Sequence, residues 1–280
     1  MQRKHGWSRR RMLAHSLLAL GVAAAGRAGR AQPARADTSN DGSLEPLPEL
    51  RRVVAANRIL ANEGVVDAFG HVSVRDPRDP QRFVMARSRS PALVELADLM
   101  EFERDGAPVD ARGRTVYGER MIHAAVYEAR PDVYSVVHDH ATGLLPFTIT
   151  GAPLKPVIHT ASVIGAEIPV WDIRDRFGAT DMLVRTLEQG RDLAKALGGN
   201  TCALMRGHGA VVVGATIQQA VLTAIYLQVN ANVLLQARTI GEPEPLSAAE
   251  IEQSAATQFS PLALDRAWEY YCQRAGVDVV

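Results

Sequence analysis

Two histidines spaced by one residue close an apolar run, Val133 to His140, and that run narrows the folds open to the chain more than any other segment. Its short block of valines predicts a buried strand. Residues i and i+2 of a strand lie on one face, so His138 and His140 can converge on a single point. A third histidine, His208, stands between Gly207 and Gly209, where two strand-like segments (Thr201 to Met205 and Ala210 to Val213) meet. Flanking glycines let a backbone turn tightly and bring a side chain up to a crowded site. Three imidazoles with a fourth position open form the donor set of a catalytic zinc site, not a structural one.

The surrounding elements follow from periodicity. Leu50, Val53, Val54, Ile59 and Leu60 predict a helix over 47–62, ended by Gly64. Residues 69–75 and 82–86 alternate as strands around the turn Asp76 to Pro80, and 99–103 reads as another short strand. A helix is expected from Glu119 to Ala129, stopped before Pro131, with a short helical or loop element at 142–147. A strand at 168–173 precedes a helix read as 181–197, closed by Gly198 and Gly199. A long apolar helix covers 217–238, and after the break at 242–245 a helical tail runs from 248 to 275. The sum is one mixed domain, residues 47–241, with a largely antiparallel sheet flanked by helices, followed by the tail 242–280.

The N-terminus reads differently. Arg9, Arg10 and Arg11 precede an apolar stretch, Met12 to Ala25, too short to span a bilayer but suited to a signal peptide. With the small-residue site Ala34-Arg35-Ala36, residues 1–36 are expected to be a twin-arginine signal that directs a folded bacterial protein to the periplasm. Residues 37–46 read as a flexible start, and no stable membrane insertion is expected after cleavage. The 31 basic and 31 acidic residues cancel, which disfavours a nucleic-acid partner. Two cysteines are too few for a disulfide framework, and Cys202 lies in an apolar run that favours a buried thiol.

Glu119 opens the helix before the His-x-His strand, where a carboxylate is stabilised as the anion. It is a candidate for proton transfer beside the metal. His123, one turn on, is read as a buried hydrogen-bonded histidine, with a fourth-ligand role as the alternative.

Glu119-x3-His123, Arg130-Pro-Asp-Val133, Val136-Val-His-Asp-His140 and Arg206-Gly-His-Gly209 together resemble the class II aldolase/adducin family, as does Gly70-His-Val-Ser-Val-Arg75. The resemblance spans about residues 47–240. It implies a three-layer α/β/α fold and a homotetramer with active sites at subunit interfaces. It also implies metal ligation by His138, His140 and His208, with Glu119 as the catalytic acid/base. One divalent ion per subunit is expected, zinc first, with manganese, iron or cobalt compatible.

Departures from the family pattern redirect the substrate. Where sugar-phosphate aldolases hold phosphate, this chain has Arg87-Ser-Arg-Ser-Pro91 and Tyr117-Gly118, and the family's tyrosine proton donor corresponds to Thr160. The arginine-rich segment is closer to the decarboxylase-like branch. Arg87 and Arg89 are candidates to grip a carboxylate, and His71, His159 and Tyr271 are candidates for the pocket wall. The expected activity is carbon–carbon cleavage of a small hydroxy-carbonyl or hydroxy-carboxylate substrate by a metal-stabilised enolate. The alternatives are an epimerase or dehydratase on the same metal, or an adducin-like scaffold.

Overall fold

The computed structural model describes residues 47–280. The expected signal segment and flexible start lie outside the described residues. Seven strands form one sheet: β1 (His71–Arg75), β2 (Phe83–Ala86), β3 (Leu99–Phe102), β4 (Ser135–Asp139), β5 (Val170–Trp171), β6 (Cys202–Met205) and β7 (Gly209–Gly214). Their spatial order is β3-β2-β1-β4-β7-β6-β5, and every neighbouring pair is antiparallel except β5 with β6.

Strand parity divides the core in two. Val72, Val74, Val84, Val137, Leu204 and Val212 pack on one face, beneath α1 (Pro48–Asn62), α6 (Ile217–Ile240) and α8 (Pro261–Ala275). Phe83, Met85, Val136, Ala203, Val211 and Val213 pack on the other, against α2 (Arg120–Ala129) and α5 (Leu187–Leu197). This is the expected three-layer α/β/α arrangement. Two short helices, α3 (Leu145–Ile149) and α4 (Arg174–Phe177), lie in the connections, and α7 (Ala248–Gln258) precedes α8. α6 is long and apolar enough to cross a membrane, but it packs on β4 and β7, with Val221, Leu227 and Leu234 buried in the core.

Three sequence expectations are corrected. The helix read as 181–197 begins at Leu187, because Thr186 accepts from the Gln189 amide while the Gln189 side chain reaches back to the Thr186 N–H. Residues 181–186 are therefore an irregular strap. The strand read as 168–173 shrinks to Val170–Trp171. The tail is two helices, since Ser260 caps a new helix with Pro261 in its first turn. Cys202 and Cys272 are both buried free thiols.

The helices α2 and α5 cross closely at Gly190. A Cβ there would stand 2.4 Å from the Met121 carbonyl oxygen and 2.9 Å from the Ala125 Cβ. Gly190→Ala will destabilise the fold by about 1–3 kcal/mol through overpacking. That outweighs the ~1 kcal/mol of helix propensity it gains. Urea denaturation checks this, and an unchanged or raised midpoint would contradict it.

Candidate metal centre

His138 sits in β4 on the face covered by α2, opposite His71 of β1 and Val211 of β7. Its Nδ1 donates to the Ala210 carbonyl at 3.0 Å, and His208 Nδ1 donates to the Met182 carbonyl at 3.0 Å. A carbonyl can only accept, so both rings carry a proton on Nδ1 and turn Nε2 into the cluster, where it can take either a second proton or a metal ion. His140 Nε2 lies 3.0 Å from the Nε2 of each. Burial, reinforced by His138 and His208, pushes His140 down to about 4, which keeps it neutral near pH 7.

Three imidazole nitrogens thus face one another, and with Nε2 unprotonated their lone pairs repel. A cation relieves that repulsion, and the outward Nδ1 bonds to carbonyls are the support that metal-binding histidines require. Tetrahedral ligation with bonds of about 2.1 Å spaces donor atoms about 3.4 Å apart, close to the separations here. The donor set fits a divalent ion.

Glu119 completes the cluster. Its Oε2 is 3.5 Å from His138 Nε2 and 3.6 Å from His208 Nε2. All four donor atoms lie within 4.8 Å of one another. Glu119 is the residue preceding α2, yet its side chain does not cap that helix; Oε1 instead accepts the Val184 N–H at 3.0 Å. Burial alone would raise this carboxyl, but positive charge on His138 and His208, carried when their Nε2 is protonated, outweighs it and holds Glu119 well below the ordinary carboxylate range. It is an anion.

The strap 181–186 therefore holds both parts of the site through its backbone: the Met182 carbonyl fixes His208, and the Val184 amide fixes Glu119. Met182 adopts a left-handed φ of 67°, uncommon for a residue with a side chain. Such strain persists where surrounding contacts over-determine the backbone, and it clusters at functional sites.

Behind the site runs a buried polar chain. Tyr127 OH and Ser73 Oγ are 2.8 Å apart, Ser73 Oγ is 2.6 Å from His123 Nδ1, and His123 Nε2 is 2.7 Å from His71 Nδ1. His123 is consequently a buried hydrogen-bonded histidine outside the ligand cluster. Burial lowers it to about 3, and it lowers His71 too. In front of the site opens a cavity of about 250 Å³, walled by Phe69, His71, Tyr117, Glu119, His140, Leu183 and Arg185. Phe69 is 66% exposed there, its ring 6.3 Å from that of His140.

The other candidates fall elsewhere. Arg87 and Arg89 are held at Asp98 and are not among the residues that wall this cavity: Arg87 Nε donates to Asp98 at 2.7 Å and Arg89 to the same carboxylate at 2.8 Å. Asp98 itself is buried. His159, Thr160 and Tyr271 line a different cavity, of about 400 Å³, against α6 and α8, so the chain by itself does not bring them to the metal ligands. Asp139, between the two histidines, points to the opposite face and accepts the Ala141 N–H. The sequence reading missed Met182, Val184 and Arg185; the Thr186-x-x-Gln189 capping pattern was the signal that could have set them outside the helix.

The comparisons with known proteins agree with this geometry. The model of the Class II Aldolase and Adducin N-terminal domain family matches residues 51–235. The chain is 36% identical over 204 residues to Decarboxylase tropJ of Talaromyces stipitatus, covering 68% of this chain and 77% of that protein. It is 27% identical over 205 residues to 3,4-dihydroxyphthalate decarboxylase of Arthrobacter keyseri, covering 68% and 78%. Among solved structures, L-fuculose 1-phosphate aldolase from Glaciozyma antarctica superposes with a TM-score of 0.67 at 26% identity, over 81% of this chain and 88% of that one. An aldolase II superfamily protein from Pseudomonas syringae shares the fold with a TM-score of 0.70 at 20% identity, over 84% and 95%. The chain belongs to the class II aldolase and adducin family and is one of its lyases.

Proposed function

We propose that the protein is a divalent-metal-dependent decarboxylase of a small hydroxy-aryl carboxylate. The observation that carries this reading is the convergence of His138, His140 and His208 beside Glu119, with His140 and Glu119 opening onto a cavity walled by Phe69, Tyr117 and Leu183. Apolar and aromatic walls suit a planar ring. Decarboxylases of aromatic acids among the relatives support the same substrate class.

A divalent ion on the three histidines would supply Lewis-acid stabilisation of charge developing on a substrate oxygen. The chain's own residues account for the proton. Glu119, ionised at the start, takes the proton of a ring hydroxyl beside the carboxylate and delivers it to the ring carbon that bears the carboxylate. The C–C bond then breaks, carbon dioxide leaves, and the bonding pair restores the aromatic ring with the oxygen as phenolate. One proton from solvent neutralises that phenolate, so the reaction consumes one proton per carbon dioxide released. Val184 N–H orients the carboxylate of Glu119 throughout.

Protein reconstituted with zinc or manganese and given carboxyl-labelled 3,4-dihydroxyphthalate will release labelled carbon dioxide. Aldehyde release from L-fuculose 1-phosphate, with no carbon dioxide from the aryl acid, would overturn the assignment in favour of aldol cleavage.

The same reading includes assembly and location. The twin-arginine pattern of residues 9–11 supports export to a bacterial periplasm, and the family resemblance supports a homotetramer. Fractionation of the expressing cell and light scattering of the purified protein test these.

A further inference from the structure

We infer that Arg185 is the anion-binding residue of the cavity and selects substrates that carry a second carboxylate beside the one that is lost. The inference rests on the decarboxylase reading above. Arg185 is the one guanidinium among the residues that wall the cavity. The arginines that the sequence offered for this task, Arg87 and Arg89, are tied to Asp98.

The position of Arg185 is fixed while its head remains available. Its backbone N–H donates to Gln189 Oε1 at 2.8 Å, and the preceding residue, Val184, is bonded to Glu119. The strap that anchors the proton-transfer carboxylate thus also sets the base of the arginine. Nε donates to Asp181 at 2.6 Å, but both side chains are about half exposed, at 56% and 51%. Exposed pairs of this kind hold weakly. Among the described residues, the two terminal nitrogens have no hydrogen-bond partner, and a guanidinium whose terminal N–H edge is free matches a planar carboxylate. One of them, Nη1, lies 3.5 Å from where a Cβ on Gly118 would stand, which places the head of the arginine beside the Gly118 segment of the cavity wall.

Charge balance gives the arginine its purpose. An ortho-dicarboxylate brings two negative charges into the cavity, and the Glu119 side chain also stands on its wall. The ion on the three histidines can compensate one end of such a substrate. The other end needs a cation on the wall, and Arg185 is placed to provide it.

Zinc-loaded wild type, Arg185→Gln and Arg185→Lys are titrated calorimetrically with phthalate, which has two adjacent carboxylates and no hydroxyl, and with benzoate, which has one. Phthalate is expected to bind Arg185→Gln about ten- to a hundred-fold more weakly than wild type, the range of a charge-assisted hydrogen bond. Arg185→Lys should recover part of the loss, and benzoate should bind all three within about two-fold, since it lacks the second carboxylate. With metal content and thermal midpoint at wild-type values, equal phthalate affinity in wild type and Arg185→Gln overturns the inference, as does failure of phthalate to bind either. If phthalate discriminates between the proteins but no hydroxy-aryl acid releases carbon dioxide, the decarboxylase reading fails and the anion site stands.

Discussion

Glu119→Gln will retain its bound metal and lose about 10²–10⁴-fold in turnover, the range for removing a positioned acid–base group. Glutamine keeps the shape of the side chain, and its amide oxygen can still accept the Val184 N–H, so the strap and the three histidines stay in place. What disappears is the anion that burial alone would neutralise and that His138 and His208 hold ionised. His138→Ala is the necessary contrast. It removes one of three convergent nitrogens and leaves the other two incomplete, so metal content and turnover should fall together. Elemental analysis and carbon dioxide release on the same preparations separate the two cases. Turnover within a few-fold of wild type in Glu119→Gln would refute the proton-transfer role. Loss of metal from Glu119→Gln would make Glu119 a fourth ligand, as its 3.5 Å approach to His138 Nε2 permits.

The residues that betrayed themselves in the sequence did so through period and spacing. Strand parity at Val136, His138 and His140 placed the two histidines on one face, because a two-residue repeat fixes which side chains share a face whatever else the chain does. Gly207 and Gly209 marked the third ligand for a similar local reason. The strap 181–186 left no such trace, since its contributions are a backbone carbonyl at Met182 and a backbone amide at Val184, which any residue type supplies. Its apolar spacing merges with that of α5, and only the capping pair Thr186 and Gln189 separates them. Arg87 and Arg89 are a different case: their side chains suit a carboxylate, and the carboxylate they meet within the chain is Asp98, which the segment between β2 and β3 brings back to them. Arg185, inside the segment that reads as a helix over 181–197, carries no local signal that sets it apart.

Gly209→Ala should cost more stability than any other single-methyl addition at a glycine in the described chain. A Cβ at this position would lie 1.9 Å from the Asp139 carbonyl oxygen and 3.0 Å from the His140 Cα, both rigid backbone of the central strand. The collision sits in the β4–β7 pairing, next to the Asp139–Ala210 register, so relief requires those two strands to separate where the ladder is buried on both faces. Overpacking that side chains can absorb costs about 1–3 kcal/mol, and a backbone clash in a central pair should exceed that range. The displacement also has a direction. Moving β7 away from β4 moves His208 away from His138 and His140, and it lengthens the Ala210 bond that sets the tautomer of His138. Metal affinity should therefore fall even in whatever fraction folds, and added zinc should recover less of the lost thermal midpoint than it recovers in Gly190→Ala, whose clash lies between helices away from the ligands. Thermal denaturation of both variants with and without zinc reads the difference. A Gly209→Ala protein with wild-type stability and stoichiometric metal would show that the strand pair can open without disturbing the histidines, and would refute the view that their convergence depends on this contact.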